Sequence, residues 1–89
     1  MAFESKNLSV LAYANGFTLW HYTTTETAAT VGGVNYFNDA VDMLRVGDMI
    51  MANTDTDGTP AAGIFLVNDT TAGAVDVDNM TTVGGSDTA

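Results

Sequence analysis

The stretch from Tyr36 to Asn53 constrains this chain most, because it changes structural period twice in a short span. Phe37, Ala40 or Val41, and Leu44 recur at three-to-four-residue spacing, which places them on one face of a helical turn. Asn38, Asp39 and Asp42 fall toward the other side. Val46-Gly47-Asp48 breaks that period, since glycine is permissive there. From Met49 to Ala52 every residue is apolar, which predicts a short central strand covered on both faces. The segment therefore supplies a helical plug, a sharp exit and a strand, and it holds no obvious catalyst.

On either side the chain reads as β structure. Leu8 to Ala14 and Phe17 to Thr23 are two strands joined by Asn15-Gly16, the pair that suits a two-residue hairpin turn with positive φ at both positions. In the second strand Phe17, Leu19 and His21 share one face, and Thr18, Trp20 and Tyr22 share the other. Both faces are bulky, as in a strand lying between a core and a subunit interface. Trp20 and Tyr22 are the expected interface anchors, because aromatics contribute much area at low entropic cost. The alternative is that both close the chain's own core. Thr27 to Thr30 fits an edge strand or a turn of helix, and Gly32-Gly33 marks a loop. Asn53 to Pro60 is a turn, and Ala61 to Val67 is the next strand. Ala74 to Asp78 alternates Val75 and Val77 with Asp76 and Asp78, which predicts a strand with one wet face, and Met80 to Val83 continues it. Residues 1–7 read as an extended arm, either a frayed terminus or one that Phe3 anchors on a neighbour, residues 8–83 as one compact β-rich domain, and residues 84–89 as a flexible tail. The expected fold is mainly β, a small antiparallel barrel or sandwich of five or six short strands with one helical turn.

At 89 residues the chain is one domain with a modest core, and without cysteine it has no disulfide or thiolate-bound metal to reinforce it. Self-association is the expected supplement. Eleven acidic residues face only Lys6 and Arg45, for a formal net charge of −9. That charge repels nucleic acid and anionic lipid at long range. It suits a face turned to solvent or one docked on a basic partner, and it equally serves solubility alone. No segment approaches the ~20 apolar residues of a membrane span. A signal peptide over Lys6 and Leu8 to Ala14 is not expected, because the apolar run is short and contains Ser9, and Glu4 cancels Lys6.

The sequence offers few groups arranged for chemistry. Asn53, Asp55, Asp57 and Gly58 match the first half of a calcium-binding loop. The twelfth position is Ile64 where a bidentate glutamate belongs, and Pro60 interrupts the loop, so a plain Asp-Gly turn is expected. His21 is the only imidazole, with no cysteine or second histidine to join it. No serine sits in a nucleophile elbow, and no phosphate loop is present. No cofactor, catalytic residue or small-molecule substrate is expected.

Leu19-Trp20-His21-Tyr22, then Tyr36-Phe37 with Ala40 and Met43-Leu44, then Val46-Gly47-Asp48-Met49-Ile50 resemble a pattern found in small virion proteins of tailed phages, of the head-decoration or cement type. The likeness runs from about Leu8 to Asp78, and Ser86-Asp87 fits it too. The resemblance implies a non-enzymatic structural protein on the outer capsid surface. Its implied partners are the major capsid protein and further copies of itself, in a trimer or other closed oligomer. The candidate interface residues are Phe3, Trp20, Tyr22, Tyr36, Phe37 and Arg45. The rival readings are the base of a head spike or fibre that displays a host-binding module and, last, a small enzyme or inhibitor.

Overall fold

A computed structural model describes residues 3–33 and 35–84. The chain is mainly β. Strands β1 (Leu8–Ala14), β2 (Phe17–Thr23), β3 (Met49–Thr54), β4 (Ala61–Asp69), β5 (Asp76–Val77) and β6 (Thr81–Thr82) form one sheet. The order is β1-β2-β3-β4-β5, with β6 also on β4. A four-residue helix α1 (Ala28–Val31) and a 3-10 turn at Asn38–Ala40 lie in the connection from β2 to β3.

The sheet is mixed and open, which corrects the expected antiparallel barrel or sandwich. β2 and β3 run parallel, pairing Leu19 with Met49 and Tyr22 with Ala52. Parallel neighbours require a long crossover, and residues 24–48 supply it. That crossover carries α1 and the 3-10 turn, whose Val31, Phe37, Ala40 and Leu44 are buried against the sheet. The other ladders are antiparallel.

The hairpin forms as its turn residues dictate: Asn15 has φ 55° and Gly16 φ 79°. A register shift between Val10 and Ala12 makes Leu11 a bulge in β1. Thr27 caps α1 by accepting from Thr30 N at 3.4 Å. Phe37, Ala40 and Leu44 share the buried face foreseen for them. Val75 and Val77 are buried while Asp76 and Asp78 are exposed, as their alternation requires. Gly63 lies close under the chain at β6, where an added Cβ would sit 2.5 Å from Thr81 O.

The arm is packed on its own chain. Phe3 stacks on Tyr22 with ring centroids 5.4 Å apart and meets Phe37 edge-on at 5.5 Å. Residues Ser5–Asn7 then make a 3-10 turn into β1. Of the tail, only Gly84 falls within the described residues.

One buried carboxylate ties these parts together. Asp48 Oδ1 accepts from Thr18 N at 3.2 Å. Its Oδ2 accepts from Trp20 Nε1 at 3.1 Å and from Arg45 N at 3.2 Å. Gly47, at φ 97°, turns the chain so that its N–H reaches Val67 O and Asp48 O receives Val67 N, both at 2.9 Å.

Two stability predictions follow from buried polar groups. Asp48→Asn places an amide N–H against a ring or backbone donor. It should lose about 2–3 kcal/mol in chemical denaturation, and coupling to Trp20→Phe in a double-mutant cycle should account for part of that loss. Full additivity of the two changes would contradict the linkage. Thr54 Oγ1 is buried with no hydrogen-bond partner among the described residues. Thr54→Val removes the unpaired hydroxyl at nearly constant shape and should gain about 1 kcal/mol in the same assay. A loss instead would mean that the hydroxyl is satisfied in solution.

Candidate functional site

Strand alternation gives the sheet two unlike faces. The inner face carries Trp20, Tyr22, Ile50, Ala52, Phe65 and Val67, all buried under the crossover and the arm. Among the described residues the outer face has no such cover. Residues directly opposite across a ladder share a face, so Ala12, Leu19, Met49 and Leu66 form one row across it. Ser9, His21, Met51, Ile64 and Thr81 form the next. Met49 is 39% exposed, Met51 40% and Leu66 36%. Leu19, His21 and Ile64 are half-buried by their neighbours alone. Both rows are free of charged residues. At their border lies a hollow of about 300 Å³, lined by Met49, Ile64, Leu66, Asp78, Asn79 and Thr81.

The chemistry of this face is that of docking. His21 Nε2 and Asn53 Nδ2 lie 2.8 Å apart across β2 and β3. With the amide as donor, the imidazole accepts at Nε2 and carries its proton on Nδ1. Methionine and leucine side chains adapt to an irregular partner, and each ~100 Å² of apolar surface they lose to water contributes about 2.5 kcal/mol.

This geometry corrects the expected interface. Phe3, Trp20, Tyr22 and Phe37 are buried within the chain's own core and have almost no surface left to offer. Tyr36 is half-buried, and Arg45 is exposed beside exposed Val46. The bulky second face of β2 is real, but it is the Phe17, Leu19 and His21 face that lies outward. Trp20 turns inward because its indole N–H finds Asp48 there. The expectation that β3 is covered on both faces is likewise corrected, since Ile50, Ala52 and Thr54 are buried and Met49, Met51 and Asn53 are not. The signal that was missed is Met49 and Met51 at period two, in register with Leu19 and His21.

The calcium candidates do not converge. Asn53 is engaged with His21 on the outer face. Asp55, at φ 52°, folds its carboxylate into its own turn, where Oδ2 accepts from Thr59 N at 3.3 Å. Asp57 is exposed. Among the described residues no group of three or more histidine or acidic side chains is placed to hold a metal ion. No helix among them is long and apolar enough to cross a membrane.

A second polar feature lies at the rim of the core. Tyr22 OH accepts from Glu4 N at 3.1 Å and shares a hydrogen bond with Tyr36 OH at 2.9 Å. Tyr36 OH in turn donates to Glu26 Oε1. Desolvation, then the bonds to Glu26 and Tyr22, push the Tyr36 phenol well above its ordinary value.

No protein-family model matches this sequence, and no curated protein or solved structure matches it either.

The Tyr36 shift has a signed consequence. The folded state keeps the phenolic proton where the unfolded chain releases it, so this stabilisation is complete below about pH 10 and is lost as pH rises above that value. Tyr36→Phe should flatten the alkaline fall of Tm while leaving the neutral-pH fold intact. An unchanged alkaline slope would remove Tyr36 as its source.

Proposed function

We propose that this chain is a structural virion protein of a tailed phage, a decoration protein that docks on the outer capsid shell through the open face of its sheet. The observation that carries the reading is the contrast between the two uncharged rows at the centre of that face, edged by Asp78, and the acidic remainder of the surface. The exposed carboxylates of Asp39, Asp42, Asp57, Asp69, Asp76 and Asp78 lie in connections, at the end of β4, or at the short β5 and its flank. A molecule of formal charge −9 whose open face is uncharged across its two central rows suits attachment by those rows, with Asp78 at their rim and the other exposed carboxylates left in water. The resemblance across Leu19-Trp20-His21-Tyr22 and Val46-Gly47-Asp48-Met49-Ile50 supports a phage shell as the partner.

Electrostatics supports the outside of the shell. The interior of a filled head is dense with phosphate, and a chain with two cations against eleven carboxylates is repelled there. Repeated over many copies, a modest apolar contact per chain raises shell stability by mass action.

The test uses particles that carry the protein. Met49→Lys and Met51→Lys, both at exposed positions, should fold with wild-type circular dichroism yet fail to bind shells stripped of the native protein. Wild-type attachment should survive about 0.5 M salt, which collapses interactions between exposed charges. Release by salt together with unimpaired lysine variants would replace the apolar contact by acidic side chains on a basic shell. Protease should reach the protein on unbroken, DNA-filled heads. Protection until the heads are opened would overturn the outer location.

A further inference from the structure

The open face leaves another surface unexplained. β1 is the edge strand of the sheet, and among the described residues no strand pairs with its outer side. An edge strand offers a row of backbone donors and acceptors to any extended chain, and proteins usually blunt it with lysine, proline, an inward charge or a bulge. Along Leu8–Ala14 β1 has no lysine, proline or charge, and its single interruption is the bulge at Leu11. It also carries the most exposed large apolar residues of the amino-terminal half: Val10 at 57%, Leu11 at 52% and Tyr13 at 69%.

The register explains that exposure. Val10 lies opposite Trp20, and Tyr13 lies opposite Thr18. Both therefore project on the core side of the sheet. The covering layer ends before reaching them: Trp20 on β2 is buried while Val10 on β1 is not. The core reaches β1 at Leu8, opposite Tyr22, and stops one strand short of the edge at Val10 and Tyr13.

From this we infer that β1 pairs antiparallel with β1 of a second copy about a two-fold axis, joining two sheets into one and setting Tyr13 of one copy beside Val10 of the other. This goes beyond the shell-docking reading and uses a different surface. Charge selects the occupant. No aspartate or glutamate occurs between Glu4 and Glu26, although the chain carries eleven acidic residues. The hairpin is thus the part of the molecule where two copies of an acidic protein meet without carboxylate facing carboxylate. The bulge at Leu11 adds shape, because a two-fold axis near it sets equal bends against each other, which a flat foreign strand does not match. Tyr13 beside Val10 is an aromatic and β-branched cross-strand pair, a favourable combination. Antiparallel edge pairing also closes: each copy uses its one free β1 edge, so the product is a dimer rather than a fibre.

Sedimentation velocity on the full chain tests this at two salt concentrations. The wild type should dimerise, more tightly at the higher salt, because screening reduces repulsion between two chains of charge −9. Val10→Lys and Tyr13→Lys, each at an exposed position, should weaken dimerisation by about tenfold or more with unchanged circular dichroism. Met51→Lys on the open face should leave it unchanged. In the dimer, hydrogen exchange should slow at β1 amides in a concentration-dependent way. Should one lysine variant misfold, the other and the exchange data decide. A wild type that stays monomeric at about 1 mM protein in high salt overturns the inference. So does a dimer indifferent to both β1 lysines, one broken by Met51→Lys, or open-ended growth into larger species.

Discussion

Asp48 is the constraint on which the rest of the structure depends. A buried carboxylate is costly unless its oxygens are fully hydrogen-bonded, and here three N–H groups from two distant segments converge on it. Two of those groups belong to β2 and one to the turn before β3. The carboxylate therefore fixes where the crossover must return, and with it the parallel register of Leu19 on Met49. A slip of one residue would carry Ile50 to the outer face and Met49 into the core. The same turn bonds Val67 through Gly47 N and Asp48 O, so β2, β3 and β4 are aligned at one end by four neighbouring backbone and side-chain groups.

From that alignment the rest follows by economy of chain. The crossover between β2 and β3 provides a single covering layer, and the arm adds Phe3 to it. One layer closes one face. The aromatic cluster of Phe3, Tyr22, Tyr36 and Phe37 fills the space beneath it with rings in edge-on and stacked contacts. Nothing remains among the described residues to cover Met49, Met51 and Leu66 or to extend over Val10 and Tyr13. Both uncovered surfaces are consequences of the same shortage. They differ in kind: the first is a side-chain surface, the second also presents unpaired backbone.

The sequence revealed the parts whose cause is local. Asn15-Gly16 specifies its own turn, Phe37, Ala40 and Leu44 specify a face, and Val75 and Val77 specify an alternation. It concealed the parts whose cause is distant. Period two in Phe17 to Thr23 showed that β2 has two bulky faces, but not which one is the core. That choice rests on the indole N–H of Trp20 meeting a carboxylate 28 positions away. The run Met49 to Ala52 read as doubly covered because methionine counts as apolar, whereas its flexible side chain tolerates a half-exposed site. The parallel pairing of β2 and β3 had no local sign, since a crossover and a long loop look alike until their contacts are known. Phe3, Trp20, Tyr22 and Phe37 read as contacts for the same reason: large aromatics suit a core and a contact equally well.

The acidic surface gains a definite role once the two uncovered surfaces are placed. A chain with exposed apolar side chains and an open strand edge is exposed to indiscriminate association. Long-range repulsion between copies of charge −9 opposes most encounters, because most orientations bring carboxylates together. Only approaches through the acid-free hairpin, or of the open face toward an uncharged surface, escape that opposition at short range. The charge therefore acts as a filter on geometry, and its strength falls with ionic strength while the apolar contacts it permits do not. Specificity on such a protein comes from where the carboxylates are absent as much as from what the apolar residues touch.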